Sequence, residues 1–332
     1  MRGNVKKLVL LTIMLSGCGG SPDSINSAFD VTEQSVSQLG VAMADGRVTA
    51  VNLVDSYLAR IEAYDQQGPT LNAMIVLNPL ARQEAMALDK ERAAGQIRGP
   101  LHGVPVVVKD NYDTSDLPTT AGAIALATSI PPDDATQVER LRNAGAVILG
   151  KTNMHELARG ITTVASYGGQ TRNPYNPRRN PGGSSGGTGA AVAASFAAFG
   201  MGSDTCGSIR IPSAHHSLVG LRGTRGLASG DGIIPLSTTQ DIGGPLARSV
   251  EDLALALDAT VGYDPADETT RLSEGHIPDT YTAALNAGGL AQARVGVVRS
   301  MVGNQGPERD VSAVIEAAIA EMEALGATVI DI

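Results

Sequence analysis

The segment from 180 to 226 holds the residues best suited to chemistry in this chain. Its six residues Gly182 to Gly187 comprise four glycines and the pair Ser184 and Ser185, and an alanine-rich run leads from them to Asp204-Thr205-Cys206-Gly207-Ser208. Glycine at this density permits positive φ angles and close approach of the backbone. A flexible linker would not be followed by a nearly uncharged helix. The pattern therefore predicts a site built from backbone amides and serine hydroxyls.

A candidate base lies far from this segment along the chain. Lys109 directly follows the apolar run 104–108, which predicts a strand buried on both faces. Burial disfavours the charged form of a lysine and lowers its pKa, and a neutral amine is a usable base near pH 7. The alternatives from the residues alone are a structural salt bridge with Asp110 or a side chain that reaches out to water.

Two other interpretations of the serine-rich loop fit its context poorly. The run 182–186 satisfies the G-x-S-x-G pattern of a nucleophile elbow, which requires a strand immediately before it. The preceding residues 171–181 are polar and contain three prolines, and His276 is the only histidine far downstream. A glycine-rich phosphate cradle would require a Lys-Ser/Thr ending that the loop lacks.

The remaining metal and nucleophile candidates are weaker. His155-Glu156 is no HExxH motif, because Arg159 stands where the second histidine is required. The other histidines, His102, His215 and His216, also lack the spacing of metal ligands, so no metal site is predicted. Cys206 is an alternative nucleophile, although no Cys-His arrangement accompanies it.

Five blocks of this sequence, in this order, resemble the amidase signature family of serine hydrolases over residues 30–332. They are PLHGVPVVVKDN (100–111), GAVILGKTNMHE (145–156), GGQTRNPYNP (168–177), the glycine-rich segment with its DTCGSIR and VGLRGTRG endings, and DGIIPLSTTQDIGGPLARSVEDLALAL (231–257). The resemblance implies an amidase that uses no cofactor.

The resemblance also assigns roles residue by residue. Ser208 matches the nucleophile, Lys109 the terminal base, and Ser184 a bridging serine that the family holds after a cis peptide bond. The backbone N–H groups expected to form the oxyanion hole belong to Thr205, Cys206, Gly207 and Ser208, and Ser185 and Gly183 are expected to support the loop. Cys206 departs from the family, which usually has glycine there.

Hydrophobic periodicity predicts alternating helices and strands. We expect helices over 32–44, 49–65, 78–95, 135–143, 188–199 and 310–325, and strands over 71–77, 104–108, 146–149, 200–203, 294–298 and 327–332. The strand at 294–298 reads as buried, and the helix at 310–325 places Val311, Val314, Ile315, Ala318 and Ile319 on one apolar face. The predicted fold is α/β, with a large mixed β-sheet flanked by helices on both faces.

The two ends of the chain predict export and an incomplete domain. A basic start, the apolar run 8–15 and Leu15-Ser16-Gly17-Cys18 predict a signal peptide over 1–17, lipidation of Cys18 and a tether over 18–29. The expected location is therefore the periplasm or cell envelope, with the membrane touched only through the lipid. Residues 30–332 form the predicted amidase domain, which we expect to be incomplete at its C-terminus because 294–332 read as a β-α-β unit with nothing after it.

The net charge of the chain restricts the kinds of partner it is expected to bind. The chain has 332 residues and a formal net charge of −9, which argues against nucleic acid as a partner. The predicted function is hydrolysis of a small-molecule or peptide amide. The alternatives are a catalytically inactive amidase-like envelope lipoprotein and a glutamine-dependent amidotransferase subunit.

Overall fold

A computed structural model describes residues 29–303 and 305–332. The predicted signal peptide, the lipidated Cys18 and all but the last residue of the tether fall at 1–28 and lie outside the described residues.

The described chain alternates helices and strands. The helices are α1 (Val36–Ala44), α2 (Ala50–Tyr64), α3 (Ala81–Ala93), α4 (Thr136–Asn143), α5 (Gly186–Ala193), α6 (Arg210–His215), α7 (Val250–Thr260) and α8 (Glu308–Ala324). The strands are β1 (Met74–Leu77), β2 (Pro105–Lys109), β3 (Val147–Thr152), β4 (Val164–Ala165), β5 (Gly169–Gln170), β6 (Phe199–Asp204), β7 (Val219–Gly220), β8 (Ile242–Ala247), β9 (Arg294–Val297) and β10 (Thr328–Asp331).

The central sheet has six strands in the order β1-β3-β2-β6-β8-β7. Strand β2 pairs in parallel with both β3 and β6, whereas β1, β7 and β8 run antiparallel to their neighbours. All residues of β2, β3, β6 and β8 are buried, as expected for central strands covered on both faces. The mixed α/β sheet flanked by helices confirms the predicted fold class.

Local sequence explains where the first helices begin. Ser35 and Thr49 each accept a hydrogen bond from a backbone N–H in the first turn, and each is completed as a capping box by the residue three positions on. Helix α2 then buries Leu53, Val54 and Tyr57 against the core. Both helices start within a few residues of the predicted positions.

Helix α5 differs from its prediction. It begins at Gly186, directly after the two serines, and ends at Ala193 rather than at Phe199. Ser195, with a φ of +54°, lies in the turn that follows, and Phe199 opens strand β6. The alanine-rich composition marked a helix but carried no signal for this turn.

The predicted burial of the strand at 294–298 is wrong. Strands β9 and β10 pair in parallel as a separate two-stranded sheet, and only Val297 of β9 is buried. On helix α8 the expected apolar face stays open, because Val311 is 61% and Val314 70% exposed and only Ile319 is buried. Amphipathic periodicity locates the apolar face of a helix, but not whether another element covers it.

Candidate active site

Lys109 is the last residue of strand β2 and its side chain is completely buried. Its Nζ lies 2.8 Å from Ser184 Oγ and 2.8 Å from Ser203 Oγ, with the Ser203 carbonyl oxygen 3.2 Å away. Three oxygens therefore surround the amine, and all of them belong to uncharged groups.

Burial lowers the pKa of Lys109 from 10.5 to about 7, against the more distant negative charges of Asp241 and Asp204. The alternative of a salt bridge between Lys109 and Asp110 is not realised. Asp110 instead forms a buried ion pair with Lys151, 3.4 Å between Oδ1 and Nζ, and accepts hydrogen bonds from Thr120 and from the Gly122 N–H. Lys109 is therefore a buried amine with no ion-pair partner among the described residues.

The glycine-rich loop delivers Ser184 to this amine. The peptide bond between Gly183 and Ser184 is cis, as the family resemblance implied, and the Ser184 carbonyl oxygen accepts a hydrogen bond of 3.0 Å from the His155 N–H. A Cβ atom at Gly183 would lie 2.9 Å from the carbonyl carbon of Ile161, so only glycine fits without displacing backbone.

Ser185 connects the loop to strand β6 and to Ser208. Its Oγ donates to the Ser203 carbonyl oxygen at 3.2 Å and accepts from the Ser203 N–H at 3.3 Å. Its N–H donates to the carbonyl oxygen of Ser208 at 3.2 Å. The structure thus brings Lys109, Ser184, Ser185 and Ser208 into one cluster.

The turn after β6 is organised by Asp204, a fully buried carboxylate. It accepts hydrogen bonds from the N–H groups of Gly207 (2.6 Å), Ile209 (3.0 Å) and Arg210 (3.3 Å) and from the Arg210 guanidinium. Although burial acts in the opposite sense, these hydrogen bonds lower the pKa of Asp204. The carboxylate is therefore a fixed acceptor that shapes the turn.

The same turn leaves three N–H groups unengaged. In the described part of the chain, the N–H groups of Thr205, Cys206 and Ser208 donate no hydrogen bond, whereas that of Gly207 is taken by Asp204. Cys206 is a free thiol on the exposed side of this turn, and Ser208 is 7% exposed.

Sequence reasoning missed Ser203, Asn111 and Asp204. Ser203 Oγ accepts from the Asn111 amide at 3.1 Å as well as from Lys109. An aspartate just before a Thr-Cys-Gly-Ser turn was a usable signal, because short acidic side chains accept from nearby backbone N–H groups. Ser203 had no such signal, because its role depends on the pairing of β6 with β2.

Ser203 also lines a cavity of about 260 Å³ that adjoins this cluster. Ile233, Ile242, Asp241 and Arg225 are among the residues of its wall. The Asp241 carboxylate is already engaged, since it accepts from the Thr205 hydroxyl at 2.5 Å and from the N–H groups of 236 and 237. The cavity offers room for a ligand beside the lysine and serine cluster.

The histidines and acids of the described residues show no metal-binding arrangement. No group of three or more histidine, cysteine, aspartate or glutamate residues within 29–303 and 305–332 is arranged to hold a metal ion. His216 is buried with Nδ1 2.7 Å from the Pro212 carbonyl oxygen, and burial lowers its pKa to about 4.

A buried lysine amine lies beside a serine of a glycine-rich loop on a mixed α/β sheet, an arrangement suited to a serine hydrolase. Similarity to known proteins identifies the family. The amidase family profile matches residues 52–332, and the chain belongs to the amidase family. It is 43% identical over 316 residues to a glutamyl-tRNA(Gln) amidotransferase subunit from Cupriavidus metallidurans, covering 92% of this chain and 62% of the relative.

Solved structures agree with this assignment. Native peptide amidase from Stenotrophomonas maltophilia superposes with a TM-score of 0.86 at 44% identity, covering 91% of this chain and 62% of that protein. The corresponding glutamyl-tRNA(Gln) amidotransferase subunit from Thermotoga maritima superposes with a TM-score of 0.78 at 28% identity, covering 91% of this chain and 62% of that protein. The chain thus spans about three fifths of the length of the relatives it matches.

The predicted location in the periplasm or cell envelope is contradicted by these relatives. Their names refer to a glutamyl-tRNA(Gln) amidotransferase and to a peptide amidase, and none of them refers to the cell envelope. Within the described residues, no helix has the length and apolar character needed to cross a membrane.

Proposed function

We propose that this chain hydrolyses a carboxamide C–N bond through an acyl-serine intermediate. The observation that carries the proposal is the contact of 2.8 Å between the buried Lys109 Nζ and Ser184 Oγ, because an amine with a pKa of about 7 is half neutral at that pH. A base is most effective when its pKa lies near the operating pH.

The proposed reaction has two halves. Neutral Lys109 takes the Ser184 proton, and Ser184 takes the Ser208 proton as Ser208 Oγ bonds to the amide carbonyl carbon. The C–N bond then breaks, and the proton returns through Ser184 to the leaving nitrogen, which departs as ammonia or an amine. Water attacks the resulting ester by the reverse relay and releases the acid. Every proton moves among the side chains, the leaving nitrogen and water, so the proposal requires no cofactor.

The geometry supports the relay to different degrees at its two steps. Lys109 and Ser184 are already in hydrogen-bond contact. Ser208 is held beside them by the Ser185 N–H, but its hydroxyl forms no hydrogen bond to Ser184 within the described residues. Catalytic hydrogen bonds often tighten only in the substrate complex. The proposal assigns Ser208 a side-chain rotation towards Ser184 when the amide binds.

Three N–H groups are the proposed donors to the developing oxyanion. They belong to Thr205, Cys206 and Ser208, because Gly207 donates to Asp204 and instead fixes the shape of the turn. Loss of one such donor typically costs about 3 kcal/mol of transition-state stabilisation. The supporting roles fall to Ser185, which hydrogen-bonds Ser203 and Ser208, and to Gly183, which lets the loop pack on Ile161.

The direct test is reaction of the purified protein with a fluorophosphonate, followed by mass spectrometry of its peptides. We expect one adduct on Ser208, which Lys109→Ala and Ser184→Ala prevent while the fold is retained by circular dichroism. An adduct on Cys206 would refute the serine mechanism. The absence of any adduct on folded wild-type protein would also refute it and would favour an inactive amidase-like protein.

A second candidate function is favoured by the curated relatives. Glutamyl-tRNA(Gln) amidotransferase subunits of several bacteria are 41–44% identical to this chain. In this second candidate function the same acyl-serine forms from glutamine, and the released ammonia passes to an acceptor on a partner. Measurement of ammonia release separates the two: turnover of free glutamine favours the transferase, and turnover of peptide amides without a partner favours the amidase.

A further inference from the structure

Charge is distributed very unevenly along this acidic chain. Residues 157–230, which include both proposed catalytic serines, contain seven arginines, no lysine and one acidic residue, Asp204, so their formal charge is +6 whereas the whole chain carries −9. Asp204 is buried and already paired with Arg210 and Arg222. The excess positive charge of the segment is therefore not neutralised within it.

Three of these arginines are exposed, Arg159 in the loop after β3 and Arg178 and Arg179 in the loop before the serines, and together we call them the arginine face. In the described part of the chain none of the three makes an ion pair, and none of their guanidinium groups donates a hydrogen bond to another residue. Exposed arginines elsewhere do find carboxylates, as Arg82 does with Asp55 and Arg98 with Glu91. The arginine face thus presents donors without acceptors.

The loops that carry the arginine face are held against the serine loop. The Ile161 backbone packs on Gly183, and the Thr163 hydroxyl donates to the Gly182 carbonyl oxygen at 2.7 Å, which fixes the loop that begins at Arg159. Arg178 and Arg179 lie in a turn closed by hydrogen bonds to the Asn176 carbonyl oxygen (2.8 Å) and side chain (3.0 Å).

Chain length limits how far this turn lies from the reacting serine. Ser184 is five positions after Arg179 in the chain, so their Cα atoms are at most about 18 Å apart. An extended peptide covers that distance in about five residues. A substrate bound at the serine cluster can therefore reach Arg178 and Arg179 with groups that lie within about five residues of its scissile amide.

We propose that the preferred substrates are amides of acidic peptides, with carboxylates three to five residues from the amide that pair with the arginine face. This inference rests on the proposed function, because it names the substrate class of the same site. Guanidinium groups bind carboxylates through two parallel hydrogen bonds, which suits a few discrete charges. A nucleic acid would extend past the face onto a surface of net negative charge, whereas a short peptide ends within it.

The test compares two fluorescent hexapeptide amides that differ only in glutamate or glutamine at the third and fifth positions from the amide. Binding is measured by fluorescence anisotropy with Ser208→Ala, which removes turnover, and hydrolysis is measured with the wild type. We expect the glutamate peptide to bind at least about fivefold more tightly, with an advantage that shrinks as salt increases. Arg178→Gln/Arg179→Gln removes the advantage, and Arg294→Gln, an exposed arginine of β9, retains it.

Each result has a distinct meaning. Equal binding of the two peptides, or an advantage that survives in the double variant, overturns the inference. Equal peptide binding together with tight binding of a 20-nucleotide RNA that the double variant loses would also overturn it and assign the face to RNA. If the glutamate peptide binds selectively but neither peptide is hydrolysed, the inference holds for binding and the proposed hydrolysis alone fails.

Discussion

Two buried lysines on adjacent parallel strands have opposite surroundings. Lys109 ends β2 and Lys151 lies near the end of β3, and neither side chain is exposed. Lys151 pairs with Val108 across the strands, so the two lysines project from opposite faces of the sheet. They differ in one respect above all: Lys151 has a carboxylate beside it, and Lys109 has only hydroxyl and carbonyl oxygens.

The difference separates a lysine that supports the fold from the proposed catalytic base. Around Lys151, Asp110 favours the charged amine, and the Thr119 hydroxyl and the Pro118 carbonyl oxygen accept its other protons. A buried ion pair stabilises a fold mainly because removal of one partner leaves the other charge buried. Around Lys109 no carboxylate is in contact, and burial lowers its pKa to about 7. Burial also lowers the pKa of Lys151, but the Asp110 carboxylate opposes that shift. The sheet thus gives one amine a carboxylate partner and leaves the other without one.

The largest expected effect comes from removing the proposed base. Lys109→Met should reduce kcat/KM for an amide substrate by about 10³- to 10⁴-fold, in the upper range for loss of a general base. Because burial of Lys109 costs stability below pH 10.5, where the unfolded lysine is charged, the free energy of unfolding at pH 7 should not decrease. The two measurements are steady-state kinetics and urea denaturation, and a Lys109→Met enzyme with near wild-type turnover would rule out the base role.

Lys151→Met should show the opposite pattern. It leaves the Asp110 carboxylate buried without its cation, so we expect a loss of about 3–5 kcal/mol in the free energy of unfolding. Folded enzyme should keep most of its kcat/KM. The double variant Lys151→Met/Asp110→Asn is the matched control and should recover much of the stability. A Lys151→Met protein as stable as the wild type would show that the ion pair contributes nothing.

The pH dependence provides a third test of the comparison. Only neutral Lys109 is the proposed base, so kcat/KM should rise about tenfold per pH unit below pH 7 and level off above it. The free energy of unfolding should also fall as pH falls. The pKa is lowered on folding, so the unfolded chain binds the extra proton between pH 7 and 10.5, and this contribution to stability is lost as pH falls through that window. Lys109→Met should lack this contribution, and an activity profile that is flat from pH 5 to 8 would contradict the assignment.

Sequence alone predicts one lysine of this pair and not the other. Lys109 follows an apolar run, which predicts its burial. It also belongs to the block 100–111 that resembles the amidase signature family, which predicts its partner Ser184. Lys151 lies 41 residues from Asp110, and the contact depends on the register of β2 against β3, which hydrophobic periodicity does not specify. For the same reason the sequence left Asp110, the neighbour of Lys109 in sequence, as an alternative partner of that lysine, although adjacent strand residues point to opposite faces.

The smallest predicted effect concerns Ser203. Its hydroxyl lies beside Lys109, whereas the Asp110 carboxylate lies beside Lys151. Its hydroxyl and carbonyl oxygen accept from Nζ at 2.8 Å and 3.2 Å, and the hydroxyl also accepts from Asn111. Both contacts favour the ammonium form, so Ser203→Ala, which removes only the hydroxyl, should move the midpoint of the pH profile to lower pH by up to about one unit. We expect kcat at pH 8 to fall by less than about tenfold, because the carbonyl oxygen and Ser184 still position the amine. An unshifted midpoint would mean that the hydroxyl has no influence on the charge of Lys109, and the contrast with Lys151 would then rest on the Asp110 carboxylate alone.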